Sequence, residues 1–356
     1  MFKEKIDELN LPSLLVTKAA EWQTRREEIL SLLQKEMYGF TPPPCPVHGK
    51  VLREDMNAYS GKAVERKIEL VLDAPGGSFS FPVTITIPKE KKLAVFVNIA
   101  FMITGKDDQR YCPSCPVEEI IDGGFVHAIF DYLSVASDDG DFSSGLAAVF
   151  PRSPGAGWGK LGMWAYAMSR VADYLKTLEE FASLPLAAIG FSRLGKTSLW
   201  CGAQDERFDF VMPFGSSTAG IAFTRKNSKQ SMEELQHHHS HWFCENFRAY
   251  NNNENAMPFD QHFPLALCAP RRLLTSIAEE DEWVDVEKEY LSCKAAGVVW
   301  ELFGKKDFTA PDNFPHAPCA FWQGNPAMSL RHGTHFFSRA DWQAAMAYIK
   351  GGTHAD

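Results

Sequence analysis

Three stretches of this 356-residue chain hold the residue types that acyl transfer needs. In "LPLAAIGFSRLGKTSLW", Leu184 to Trp200, an apolar segment meets a glycine, a lone serine and then a run of helical composition. Gly190 permits a tight turn, and a serine on such a turn has its hydroxyl lifted above a sheet edge while the next helix offers backbone N–H groups to a developing oxyanion. The glycine usual two residues after the serine is absent: Leu194 stands there and Gly195 follows. In "RRLLTSIAEEDEWVD" a strand-like run ends in Glu279, Glu280 and Asp281, and "MSLRHGTHFFSRADW" supplies His332 and His335 before a final helix. Serine, acid and histidine in that chain order form a nucleophile, an orienting carboxylate and a general base. Each has a plainer reading: Ser192 as a helix N-cap, Glu279 to Asp281 as a solvated charge run, the histidines as loop residues. The ordered trio at strand ends favours chemistry.

The surrounding pattern supplies the elements to position them. Ala19 to Tyr38 carries Trp22, Ile29, Leu32, Leu33 and Met37 at helical spacing, with Gly39 as a stop. Alternation from Ala63 to Ile87 on either side of "APGG" predicts a β-hairpin. Beyond Lys92, apolar runs ("LAVFVNIA", "FVHAIFDY", "LPLAAIGFS", "FDFVMPFG", "RRLLTSIA", "VVWELFG") alternate with helical segments such as "PVEEIIDGG" and "WGKLGMWAYAMSRVADYLKTL". Such alternation predicts a parallel sheet buried on both faces. The expected fold is α/β, an α/β-hydrolase: a three-layer α-β-α sandwich with a mostly parallel central sheet and antiparallel N-terminal strands. With no repeat or linker, residues 1–356 read as a single domain in which 1–45 form an N-terminal helical extension. "YLSVASDDGDFSSG" and "PRSPGAGWGK" form a long loop region of the kind that shapes substrate access.

Composition narrows the partners. A net charge of −9 leaves no basic stripe for phosphates, so nucleic acid is not expected as a partner. No run reaches the roughly 20 apolar residues of a membrane span. The N-terminus "MFKEKIDELNLPSLL" lacks the features of a signal peptide, which leaves open a cytoplasmic location or secretion with a leader removed. Eight scattered cysteines are too few for a disulfide scaffold and read as reduced and semi-buried; "CPSC", Cys112 to Cys115, reads as a loop turn with two thiols.

The sequence around Ser192 resembles carbohydrate esterase family 15, the glucuronoyl esterases, whose elbow reads GxSRxGK; here it is Gly190-Phe191-Ser192-Arg193-Leu194-Gly195-Lys196. The resemblance runs from about Arg110 to the C-terminus through "RYCPSCPVEEIIDGGF", "DDGDF", "GAQDERFDFV", "HWFCENFRAYNN", "PFDQHFPLALCAPRRLL" and "AEEDEWVD", and points to the bacterial type. It implies Ser192 as nucleophile, His335 as general base and then acid, and Arg193 as oxyanion donor through its N–H and guanidinium. It further implies Lys196 as a donor to uronate hydroxyls and Trp283 as packing on the sugar. One branch of the family carries its acid as a glutamate in a "PQES"-like stretch. Here the stretch is "PFGSS", with Gly215 in that place, so the acid implied is Asp281, after the later strand, with Glu280 as the alternative. Gln230 stands where the family often has a sugar-contacting glutamate.

The implied reaction is hydrolysis of a (4-O-methyl-)glucuronic acid ester, as in lignin–glucuronoxylan links or their oligosaccharides, with no metal or other cofactor. Another carbohydrate esterase of the same fold, such as an acetyl-xylan esterase, is the alternative, but an acetyl group needs neither Lys196 nor Trp283. A non-catalytic carbohydrate-binding relative is the second alternative, and the intact trio argues against it. "HHHSHWF" places His237 and His241 at i, i+4 without an HExxH pattern. Polar packing or pocket lining is expected there, with His241 and Trp242 as substrate contacts.

Overall fold

The computed structural model describes residues 2–14, 18–104, 110–226 and 228–351. Ten strands form one sheet: β1 (Val47–Ala58), β2 (Ala63–Ala74), β3 (Gly77–Pro88), β4 (Ala94–Ala100), β5 (Phe125–Asp131), β6 (Leu186–Phe191), β7 (Phe208–Phe214), β8 (Arg272–Ala278), β9 (Cys319–Phe321) and β10 (Ala327–Arg331). Their spatial order is β1-β2-β3-β5-β4-β6-β7-β8-β10-β9. The six strands from β5 to β10 in that order pair in parallel, while β1, β2, β3 and β9 join antiparallel at the two edges. The predicted hairpin is β2–β3, in register from Ala63↔Pro88 to Ala74↔Gly77.

Alternate residues of the central strands feed two separate cores. Val95, Val97 and Ile99 of β4 and Leu186 and Ala188 of β6 join one cluster; Ala94, Phe96, Ala187, Ile189 and Phe191 join the other. Helices supply the outer layers. The first cluster takes α1 (Ala19–Leu33), α3 (Lys160–Thr177), α4 (Arg193–Gln204) and α6 (Val286–Glu301); the second takes α2 (Val117–Asp122) and α7 (Arg339–Ile349). A shorter helix, α5 (Met232–His239), lies beside the site. Helices on both faces of a mostly parallel sheet make the three-layer α/β-hydrolase arrangement.

The N-terminal helix continues past α1 as a wider turn over Gln34–Tyr38 and ends at Gly39, whose φ of 83° suits only glycine. Tyr38 stacks on Trp200 of α4, ring centroids 4.0 Å apart, and Arg26 donates to the Ala203 carbonyl at 2.7 Å. The extension therefore braces the helix that follows Ser192.

Two elements depart from the sequence expectation. "VVWELFG" is the end of α6: Tyr290, Cys293, Ala296, Val299 and Trp300 are buried at helical spacing while Val298 is exposed. The last parallel strand is instead β10, which ends at Arg331 just before the loop of His332 and His335. The edge strand β1 gave no signal because most of its side chains are exposed and no alternation survives.

Candidate active site

Each residue that can do chemistry stands just beyond the carboxyl end of a parallel strand, where open α/β sheets place their ligands. Ser192 directly follows β6 with φ 60° and ψ −125°, a region that a non-glycine residue occupies only under strain. Its N–H donates to the Phe214 carbonyl at 2.9 Å. A Cβ at position 190 would lie 2.2 Å from the Leu194 carbonyl oxygen, so the turn closes only over glycine. A Cβ at position 195 would lie 2.5 Å from the Phe214 oxygen. Gly195 thus lets α4 press against the end of β7, which accounts for a glycine one residue later than the usual pattern. The Ser192 side chain makes no capping bond to the helix, which disposes of the N-cap reading.

His335 Nε2 lies 2.9 Å from Ser192 Oγ, and His335 Nδ1 lies 2.7 Å from Asp281 Oδ2. The other Asp281 oxygen accepts the Trp283 N–H at 2.9 Å, and Asp281 is only 1% exposed. Glu280 instead accepts the Gly333 N–H and lies 3.4 Å from His332 Nδ1 on the surface, away from His335. The loop carrying His335 is bracketed by the buried Asp341 carboxylate, which accepts from Ser276 Oγ (2.6 Å), Arg331 Nε (2.8 Å), and Ser338 N–H (2.7 Å) and Oγ (2.9 Å). Phe191 packs on the His335 ring, centroids 4.7 Å apart. The Arg193 N–H, first in α4, has no carbonyl four residues back in the helix and, among the described residues, makes no backbone hydrogen bond.

A cleft of about 430 Å³ opens over Ser192 and His335. Two connected groups supply much of the rest of its lining. The first contains Lys196, Gly215, Ser217, Gln230 and Trp283. Lys196 is buried and donates to the Ser216 carbonyl. Burial pushes its ammonium down to about 7, Glu289 pulling it back up and Arg193 adding to the fall. Glu289, on α6, accepts the Ser217 N–H at 2.7 Å; burial pushes its carboxyl up to about 8 against the pull of that donor and of Lys196. Ser217 Oγ donates to the Trp283 carbonyl at 2.7 Å, and Thr218 Oγ1 to that of Gln230 at 2.9 Å. Trp283 itself is 58% exposed, a flat apolar face at the rim.

The second group contains Arg193, Phe101, His239 and Trp242, organised by Asp138 from the loop after β5. The Asp138 carboxylate pairs with the Arg193 guanidinium and accepts from Trp242 Nε1 at 2.7 Å, with His241 Nε2 at 3.0 Å and the Tyr132 hydroxyl at 3.4 Å. The Arg193 guanidinium lies 4.9 Å from the Trp242 ring centre, and His239 stacks flat on Trp242 at 4.0 Å. Burial would raise the Asp138 carboxyl, but bonds from His241 and Trp242 together with the Arg193 charge hold it well below the usual carboxylate range. Burial, with Arg193 adding, pushes His239 down to about 4. Buried Lys160 anchors the loop, donating to Ser137 Oγ at 3.3 Å and to the Asp141 carbonyl.

The family described as "Glucuronyl esterase, fungi" matches residues 71–304. The chain belongs to the glucuronoyl esterases, carbohydrate esterase family 15. It is 30% identical to a glucuronoyl esterase from Solibacter usitatus, with a TM-score of 0.83 over 96% of this chain and 97% of that one. Carbohydrate esterase MZ0003, from an unknown prokaryotic organism, is 28% identical over 95% of this chain and 86% of its own length. The 4-O-methyl-glucuronoyl methylesterase of Podospora anserina is 28% identical over 85% of this chain and 60% of its own. This glucuronoyl esterase is accordingly a carboxylic ester hydrolase acting on glucuronic acid esters.

Within this family frame, Gly215 has a physical reason to be glycine. Its φ is 52°, and a Cβ there would lie 2.6 Å from the Phe191 ring. A glutamate at 215 would displace the ring that packs on His335, so the acid beside the imidazole comes from Asp281. Of the expected sugar contacts, Lys196, Trp283, Gln230 and Trp242 line the cleft, whereas His241 turns its ring to Asp138 and is not part of the lining. His239, which does line it, lies in the "HHHSHWF" run expected to pack or line the pocket, whereas Asp138 and Glu289 escaped the sequence reading. The only earlier signal for any of them was Asp138's place in the "DDGDF" loop. Among the described residues, the His, Cys, Asp and Glu side chains close enough to share an ion are surface Glu279, Glu280 and His332, with none of the histidines from 237 to 241. The "CPSC" turn has the Cys115 N–H bonded to the Cys112 carbonyl at 3.3 Å and gives Pro113 and Ser114 to the cleft; its cysteines form no disulfide, Cys112 Sγ lying 3.2 Å from Ser114 Oγ and Cys115 Sγ accepting from Asn98 Nδ2 at 3.3 Å.

Proposed function

We propose that the chain cleaves esters of 4-O-methyl-D-glucuronic acid, such as those joining lignin alcohols to glucuronoxylan or its oligosaccharides, with Ser192, His335 and Asp281 as the catalytic triad. His335 Nε2 takes the proton of Ser192 Oγ as that oxygen attacks the ester carbonyl. Asp281 holds Nδ1–H and so fixes the tautomer and offsets the imidazolium charge. The oxyanion is met by the Arg193 N–H and guanidinium. His335 then passes its proton to the departing alcohol, and a water deprotonated by the same nitrogen releases the acid. Lys196 and Gln230 donate to the uronate hydroxyls, and Trp283 covers the apolar face of the ring. Residues 1–356 act as one domain, the helical extension 1–45 bracing α4.

The observation that carries this reading is the unbroken pair of hydrogen bonds from Ser192 through His335 to Asp281, in a cleft that also holds a buried cation and an exposed indole. The test is kcat/KM on benzyl D-glucuronate, its 4-O-methyl analogue and p-nitrophenyl acetate. The uronate esters are expected to be preferred, and Lys196→Met to lower kcat/KM on them about tenfold, the loss of roughly one hydrogen bond, while sparing the acetate. A preference for acetate would move the chain to the acetyl-esterase alternative.

A further inference from the structure

We propose that Asp138 is the positioning residue for Arg193: it holds the guanidinium in the cleft beside Ser192 and so sets how much the arginine contributes to the transition state. This rests on the reading of Arg193 as an oxyanion donor.

The Asp138 carboxylate shares its bonds between its two oxygens. One Asp138 oxygen takes the Arg193 Nη1 and the Tyr132 hydroxyl, the other takes His241 Nε2 and Trp242 Nε1. The carboxylate cannot turn without breaking bonds on both sides, so the guanidinium is paired with a fixed anion rather than a mobile one. Three further donor residues from two segments, Tyr132 and the adjacent His241 and Trp242, lock it in place. The Trp242 indole at 4.9 Å and the Phe101 ring at 5.7 Å confine the guanidinium further. Its anchored nitrogen is Nη1, and no hydrogen bond of Nη2 is found among the described residues, which leaves N–H groups of the planar fork unspent. A long side chain with a free donor and a fixed anchor is preorganised: its ordering is settled in folding rather than at the moment of reaction. The anchor also balances the arginine's charge, so the guanidinium is held by Asp138 and not by the uronate anion that each turnover leaves behind.

A purely structural Asp138 would tie its loop to the 240–242 segment and do nothing through Arg193. A double-mutant cycle separates the two. kcat and KM on benzyl D-glucuronate are measured for wild type, Asp138→Asn, Arg193→Ala and the double variant, with thermal unfolding of each. Asp138→Asn is expected to lower kcat by about tenfold or more with KM little changed, and to change kcat less than about twofold when Arg193 is already alanine. An equal loss in both backgrounds, or no loss in wild type, overturns the proposal. If Asp138→Asn does not fold, Asp138→Glu, which keeps the charge but moves the anchor, enters the same cycle under the same criteria. An Arg193→Ala variant with wild-type kcat would instead overturn the oxyanion reading beneath it, and the proposal with it.

Discussion

The triad and the Asp138 wall meet at the same cleft but are held by different means. Ser192, Asp281 and His335 leave their strands within a few residues, and each is fixed by local backbone: a strained turn over Gly190, a tight turn closed by the Trp283 N–H, and a loop bracketed by Asp341. Asp138 sits on a long loop, and Arg193, His241 and Trp242 reach its carboxylate from segments remote in sequence. Residues set by local geometry are replaceable one at a time with predictable loss. Residues set by a shared, partly buried anion act together, because removing the anion leaves several donors unpaired.

That contrast yields predictions of falling size. Asp281→Asn is expected to lower kcat on benzyl D-glucuronate by about 10³- to 10⁴-fold, as loss of the tautomer-fixing carboxylate does. Glu280→Gln, one residue away, is expected to change it less than about twofold, since its bonds are exposed; similar losses at both positions would break the assignment of the acid. Gly215→Ala is expected to lower both stability, by about 1–3 kcal/mol in urea unfolding, and kcat, because the new Cβ strains a positive-φ position and pushes Phe191 against the His335 ring. Loss of stability without loss of kcat would separate Phe191 from the imidazole.

The smallest effect is one of pH. The folded pKa of His239 is about 4 against 6.5 for the ordinary group. Between those values the unfolded chain binds a proton that the folded chain does not, so stability falls as pH drops from about 6.5 toward 4. His239→Phe is expected to flatten part of that fall, read as the urea midpoint at pH 7 and pH 5. An unchanged slope would mean that the ring is not held neutral by its place against Trp242 and near Arg193.

What could be read beforehand follows the same division. The glycine–serine turn, the acid after an apolar run and the histidine before a helix are local patterns, and so is the strand and helix alternation that places them. Asp138 and Glu289 were illegible as site residues because their meaning comes from contacts across more than 50 positions, as between Asp138 and Arg193 or Glu289 and Ser217. Periodicity misread "VVWELFG" because a short apolar run fits a buried strand and the buried end of a helix equally well, and only the exposure of Val298 separates them. The family resemblance located Gly215 but gave no reason for it; the reason is the Phe191 ring.

The most direct test of the account is to find the nucleophile chemically. A fluorophosphonate ester is reacted with the wild type and with Ser192→Ala, the labelled peptide is mapped by mass spectrometry, and residual hydrolysis of benzyl D-glucuronate is followed in parallel. The account predicts a single label on Ser192, activity lost in step with labelling, and an alanine variant that is folded, unlabelled and inactive. A label on another residue, or an alanine variant that still cleaves the ester at the wild-type rate, would contradict it.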